Sequence, residues 1–304
     1  MCIRDRAEAL SYTSERWPDA MGSSRTVIYS VESLSGSRQG SRLISIVDGD
    51  VIIAHQGRHR KVGAITIDEF QDCPEWFVRF VNDAVHETSC RFITVALDAH
   101  QTIFGASNSR GVNDFVRDSR SIFLGYSYRM TRELLEHSFS VLSRYAPEYM
   151  DSLDIDQGIR VPLTTLSGPR VRYVCTPNST TMLEEARKVI TELEQRYQDV
   201  NSLAVIYLQY WSVHFHKRNR IDPMVEALKV DPVLGKYYRF GFWTKGKEYF
   251  AGVVLCPESF FKLGLGQDTL LRLNTMFVAL TRFRQELTVI YHPAAPAIKY
   301  LVTG

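Results

Sequence analysis

The chain has 304 residues, 45% of them hydrophobic and 23% charged, and its formal net charge is +2. That is room for two domains of ordinary globular composition, each able to bury a core without disulfide staples. The charge balance neither demands nor excludes nucleic acid as a partner, and no apolar run approaches the roughly 20 residues a membrane span needs.

The N-terminal stretch Met1–Arg6 alternates charged and apolar residues and holds no signal-peptide core. The five cysteines are scattered, without a C-x-x-C pair or a His at ligand spacing. They read as reduced, small apolar residues of a cytosolic, and so cytoplasmic, protein. Ser33–Ser41 is rich in Ser and Gly and is expected to be a loop. Leu43–Val47 and Val51–Ala54 are short strands around the turn Asp48-Gly49-Asp50. The basic run Arg58-His59-Arg60-Lys61 is expected to be a solvated loop. Val62–Ile67 is an apolar strand that ends in acidic residues, and Phe92–Leu97 is a second strand followed by Asp98. Between them Pro74–Glu87 has helical spacing, with Trp76, Phe77, Phe80, Val81 and Val85 as its apolar stripe and Asp72 as a possible cap.

A short helix Val112–Arg117 leads to a domain boundary near Arg117–Ser121, so the expected domains are residues 1–118 and 119–304. The second half continues with strand Ser121–Leu124, helix Thr131–Tyr145, strand Arg170–Cys175 and helix Thr181–Tyr197. Strand Leu203–Leu208, helix Pro223–Lys229, strand Val253–Cys256, helix Asp268–Thr281 and strand Leu287–Tyr291 close the chain. Alternation of this kind predicts an α/β fold with largely parallel sheets. Ligands then sit at the carboxyl ends of strands, which points to the residues just after Ile67, Leu97 and Leu124.

The chemistry is concentrated in five segments. Ala64–Ile67 delivers Asp68-Glu69-Phe70-Gln71-Asp72. An apolar strand ending in two adjacent carboxylates suits a magnesium nucleotide site: Asp68 holds Mg²⁺, and Glu69 orients or deprotonates an attacking water. The alternative for this segment alone is a solvated acidic turn. The string I-T-I-D-E-F-Q-D resembles motif II of UvrD/Rep-like superfamily 1 helicases. The segment from Val95 through Asp98, Gln101 and Phe104 resembles motif III, and Tyr128-Arg129 resembles motif IV, with Ser127 where the family commonly has Asn. Lys245-Gly246-Lys247-Glu248-Tyr249 resembles motif V, although Phe240 and Phe242 replace the polar residues often found upstream, and Val278-Ala279-Leu280-Thr281-Arg282 resembles motif VI.

The resemblance implies two RecA-like domains of the P-loop NTPase type, the first incomplete, and an ATP- and Mg²⁺-dependent motor that moves 3′ to 5′ on single-stranded and forked DNA. It further implies that Gln101 senses the γ-phosphate and that Arg129 and Arg282 reach it. Glu248 would contact the ribose, Gly246 would allow close backbone approach, and Phe104 and Lys245 would touch DNA, with core packing as the equal alternative for Phe104. Asp68, Glu69, Arg129 and Arg282 are then expected to converge on one cleft between the domains. A replication or repair protein is the partner class implied, and no membrane is involved.

No G-x-x-x-x-G-K-[ST] loop stands in the sequence, since Gly235-Lys236 and Gly246-Lys247 are followed by Tyr and Glu. The expectation is that the Q motif and the phosphate loop are missing from this chain and that it is inactive alone. The interval from Arg129 to Lys245 is filled by the elements named above, which leaves no room for a large inserted domain. The basic stretch His214–Arg220 reads as ordinary surface, with a single-strand contact as the alternative. Two other readings remain open: a helicase-like domain that binds DNA or a partner without hydrolysis, and a Mg²⁺-dependent nuclease built on Asp68, Glu69, Asp72 and Asp98.

Overall fold

The structure, a computed structural model, describes residues 44–55, 58–88, 90, 92–97, 129–145, 166–208, 222–261, 267–295 and 300. The chain divides into two compact units, Met1–Ser121 and Ile122–Gly304. Residues 33–41, 98–128 and 214–220, with Gln101, Phe104 and the expected boundary among them, lie outside the described residues.

In the first unit, β1 (Ile44–Val47) and β2 (Asp50–His55) form an antiparallel hairpin. Asp48 and Gly49 turn it with φ of 50° and 75°. Positive φ at both turn residues matches the right-handed twist of the flanking strands, and Asp-Gly is a sequence that tolerates it. The basic run Arg58–Lys61, expected as a loop, is instead a strand, β3, antiparallel to β2. Composition misleads here because an edge strand needs a backbone partner and not an apolar face. Lys61 pairs with Asp50 at 2.7 Å, and the Val62 amide donates to Val51 O.

The unit's second sheet is a parallel pair, β4 (Ala64–Ile67) and β5 (Phe92–Val95), in register Ala64↔Phe92 to Ile67↔Val95. The crossover between them is α1 (Glu75–Glu87). Its buried residues are Phe77, Val78, Phe80, Val81 and Ala84, while Val85, expected on the stripe, is 45% exposed. Steps of three and four from Phe77 and Phe80 lead to Ala84, which takes the core position in place of its neighbour. Asp72 does not cap α1; the helix starts from Pro74 with no side-chain cap.

The second unit is a five-stranded, wholly parallel sheet in the order β6-β10-β9-β7-β8. These strands are β6 (Arg172–Cys175), β7 (Leu203–Tyr207), β8 (Tyr238–Phe240), β9 (Tyr249–Cys256) and β10 (Phe283–Tyr291). Helices described beside them are α2 (Arg132–Tyr145), α3 (Ser179–Arg196), α4 (Pro223–Val230), α5 (Leu234–Tyr237) and α6 (Gln267–Leu280). Strand β7 is buried throughout, as a central parallel strand covered on both faces should be. Its residues divide by period two. Ala204 and Ile206 pack with Leu134, Val141, Met276 and Ala279 of α2 and α6. Leu203, Val205 and Tyr207 pack with Ile190, Leu193, Leu228 and Leu234 of α3, α4 and α5.

Gly252 stands opposite Ala204 in the β7–β9 register. A Cβ there would lie 2.0 Å from Ala204 O and 2.6 Å from the Phe283 ring, so only glycine lets the strands and that ring close together. Those expected elements of this half that fall on described residues recur with shifted ends, while strand Ser121–Leu124 lies outside them: β9 starts at Tyr249 and β10 at Phe283, earlier than apolarity alone suggests. The sheet is α/β and parallel as expected, and the antiparallel β1–β2–β3 sheet of the first unit departs from that pattern. None of the four described cysteines is bridged; Cys73 and Cys256 are buried as expected, but Cys175 is exposed and Cys90 half-buried. Among the described residues no helix is long and apolar enough to cross a membrane.

Candidate functional site

Two groups of candidate residues can be placed, one in each unit. In the first, Ile67 and Phe70 are buried on either side of Asp68-Glu69, so the carboxylates are carried on a turn anchored at both ends. The turn is also bonded to the end of β5: the Ala96 amide donates to Ile67 O and the Phe70 amide to Ala96 O. Asp68 is exposed, and its Oδ1 accepts from the Glu69 amide at 3.0 Å. Glu69 has φ 56° and ψ 43°, the left-handed conformation that a residue with a Cβ adopts at a cost. Its Oε2 accepts from Gln71 Nε2 at 2.6 Å, and Gln71 is itself buried. The Gln of the D-E-x-Q-D string therefore orients the second carboxylate.

One exposed carboxylate at a strand end is the donor set that Mg²⁺ asks of a protein when phosphate oxygens and water complete its shell. Asp68 fits that demand. Among the described residues no group of three or more His, Cys, Asp or Glu could hold a metal by itself.

In the second unit three segments far apart in sequence meet at the amino ends of β9 and β10. Thr244 O accepts from the Lys247 amide at 2.9 Å, which closes a turn with Gly246 at φ 75°. That left-handed third position is the one a turn of this kind reserves for glycine. Thr244 is fully buried and its hydroxyl donates to Gly241 O, which fixes the turn's entry. The turn leaves Lys245 half-buried and Glu248 exposed.

Arg129 Nη1 meets Glu248 Oε1 at 3.1 Å, with the two side chains 36% and 43% exposed. The Thr131 amide, two residues on, donates to Arg284 O at 3.0 Å, which ties the Arg129 segment to the start of β10. Arg282 lies in the turn between α6 and β10 and is only 2% exposed. Its Nε donates to Val278 O at 2.9 Å, one Nη to Thr281 Oγ1 at 3.1 Å and the other to Lys247 O at 3.4 Å. The Tyr249 amide donates to Arg282 O at 2.8 Å. Arg129 and Arg282 thus touch adjacent residues of one turn, Glu248 and Lys247.

Asp68 and Glu69 belong to the first unit, and Arg129, Gly246, Glu248 and Arg282 to the second. Sequence reasoning passed over the Lys247 carbonyl and the Thr281 hydroxyl as holders of Arg282; a backbone acceptor leaves no residue-type signal. At the other end of the second unit's sheet a crevice of about 230 Å³ is lined by Pro177, Asn178, Ser179, Met182, Pro257, Glu258 and His292. Asn178 Oδ1 accepts from the Thr181 amide as the cap of α3, and both ring nitrogens of His292 are taken up by backbone groups of Pro177 and Ala294.

The second unit is therefore a parallel α/β domain carrying an arginine pair and a glutamate at the amino ends of two central strands. No family model matches the chain, and no curated protein matches it. Among solved structures it is similar to the C-terminal domain of a possible DNA helicase from Lactobacillus plantarum, at 16% identity and a TM-score of 0.36, over 58% of this chain and 94% of that one. It is also similar to arterivirus nonstructural protein 10, a helicase, at 15% identity and a TM-score of 0.44, over 95% of this chain. The chain spans about half the length of that viral protein, 52%.

Proposed function

We propose that this chain forms part of an ATP-driven superfamily 1 helicase motor of the UvrD/Rep type, with residues 1–118 in the first RecA-like domain and 119–304 in the second. Asp68 positions Mg²⁺ on the nucleotide and Glu69 orients the attacking water. Gln101, Arg129 and Arg282 act on the γ-phosphate, Glu248 on the ribose, and Gly246 gives the backbone room. Single-stranded DNA runs past Phe104 and Lys245, and movement is 3′ to 5′.

The observation that carries this reading is the meeting of Arg129, the Lys245–Glu248 turn and Arg282, three motif-like segments separated by long stretches of chain, at one end of one sheet. Positioned cations and a prearranged turn are what phosphoryl transfer requires, because its catalysis is mostly orientation and charge stabilisation. The nuclease alternative gives these residues no role. The non-hydrolysing alternative draws on one observation: Arg282 has its guanidinium turned onto its own helix and must reorient before it can act as a finger.

The test follows from the lack of a Walker A loop in the 304 residues. The chain alone is expected not to turn over ATP. A protein that joins it to a family-type Walker A segment is expected to hydrolyse ATP with DNA stimulation. In that protein Glu69→Gln should keep nucleotide binding and lose about 10²-fold or more in turnover, the span of a general base. Robust ATPase from the 304 residues themselves, abolished by Glu69→Gln, would show that another segment binds the phosphates.

A further inference from the structure

The Arg129–Glu248 contact pairs two groups to which the proposed function gives separate ligand partners. Both side chains are partly open to solvent, at 36% and 43%, and they meet at 3.1 Å. An ion pair with this exposure holds weakly and is separable by a competing anion. It also sits beside a rigid turn, since Gly246 and the buried Thr244 fix the backbone that carries Glu248. On the Glu248 side, opening the pair can therefore proceed by movement of the side chain on a backbone held by that turn.

We propose that Glu248 is a resident competitor for Arg129, and that the exchange of partners makes this site select nucleoside polyphosphates over inorganic polyphosphate. The proposal rests on the reading of Arg129 as a phosphate contact and Glu248 as a ribose contact. A phosphate group that takes Arg129 must displace the Glu248 carboxylate. With an inorganic polyphosphate, the displaced carboxylate is left without its guanidinium and close to a like charge. With a nucleoside polyphosphate, the ribose hydroxyls donate to Glu248 and replace what it lost. Phosphate and sugar recognition are thereby coupled through one acidic side chain, and loss of its charge should favour the ligand without a sugar.

The experiment compares inorganic tripolyphosphate and ATP binding to the full 304-residue chain, to Glu248→Gln and to Arg129→Gln, by ³¹P NMR titration. An exposed ion pair is worth about 1.5- to 5-fold in an equilibrium constant, and removal of the carboxylate also removes repulsion of the phosphates. Glu248→Gln should tighten tripolyphosphate about three-fold or more and should lower the preference for ATP over tripolyphosphate by a similar factor. Arg129→Gln should abolish the tripolyphosphate signal. Gain of binding by Glu248→Gln where the wild-type chain shows none is the same result in a stronger form. Equal tripolyphosphate affinity in wild type and Glu248→Gln, with loss in Arg129→Gln, would overturn the exchange and leave the phosphate role of Arg129 standing. Tripolyphosphate binding that is indifferent to Arg129→Gln, or undetectable in both wild type and Glu248→Gln, would overturn the exchange together with the phosphate role. Both side chains are at the surface, and circular dichroism of each variant checks that the fold is kept.

Discussion

Glu69 reverses the usual order of glycine and alanine. At an ordinary position, replacing Gly by Ala stabilises a protein by about 0.4–1 kcal/mol, because the unfolded chain has fewer states to lose. At φ 56° and ψ 43° the Cβ of any L-residue crowds the following carbonyl, at a cost of roughly 1–2 kcal/mol. The difference leaves Glu69→Gly more stable than Glu69→Ala by about 0.5–1 kcal/mol. Both variants lose the bond from Gln71 Nε2, so that loss cancels between them. The assay is urea unfolding of the two variants side by side, with matched slopes required before midpoints are compared. With a slope of about 2 kcal/mol/M, typical of a small domain, the Gly variant's midpoint should lie about 0.3–0.5 M higher. A higher midpoint for Ala at equal slope would refute the reasoning, because it would mean that the turn after Ile67 does not hold Glu69 in the left-handed region. The strain has a use in the proposed mechanism: a left-handed residue at a strand end turns the second carboxylate away from the strand line, towards the partner that Gln71 provides.

Two further outcomes test the second unit. Gly252→Ala should cost about 3 kcal/mol, at the upper end of overpacking effects, because its Cβ meets backbone at Ala204 and the ring of Phe283; a melting temperature within a degree of wild type would contradict the close β7–β9 approach. His137 lies on α2 with Nε2 at 2.8 Å from the Tyr173 hydroxyl, and burial first and the nearby Arg144 charge second lower its pKa from 6.5 to about 4. The neutral ring is thus favoured in the folded state, so its contribution is complete above pH 6.5 and is lost as the pH falls towards 4. The shift is worth at most about 3 kcal/mol, and His137→Gln should flatten the fall in stability over that window relative to wild type.

The acidic turn and the main alternation of strands and helices were legible because each rests on local pattern. Ile67 and Phe70 flank two carboxylates, and a buried apolar residue on each side of a polar pair can only point the pair outward. Strand β3 was hidden because its residues are basic, and its pairing with β2 is decided by the hairpin before it. The segment Leu234–Phe240, with α5 and β8, was too short for periodicity to speak. The burial of Arg282 was illegible for a different reason. Val278-Ala279-Leu280-Thr281-Arg282 reads as an apolar helix end that presents a cation, and nothing in residue type reveals that the guanidinium folds back to Val278 O and across to Lys247 O. The Arg129–Glu248 pair spans most of the second unit's sequence, so only the strand order β10-β9 could bring it together.

That strand order also explains why the carboxyl-end rule for ligands describes the first unit's candidate residues and not those of the second. Asp68 and Glu69 follow β4, where the rule places them. Arg282 precedes β10, because in a parallel α/β unit the amino end of a strand lies where the preceding helix ends. The last turn of α6 exposes carbonyls with no partner further along the helix, and a cation is favoured there by the helix dipole. Arg282 takes up one of those carbonyls, Val278 O, and so is held at the one end of the sheet where its charge is welcome. A carboxylate in its place would face the same carbonyls and be repelled. The sign of the charge at Arg282 therefore follows from the helix end it adjoins, whereas Glu248, which precedes β9 after a short turn and not after a long helix, faces no such row of carbonyls and takes its cation from Arg129.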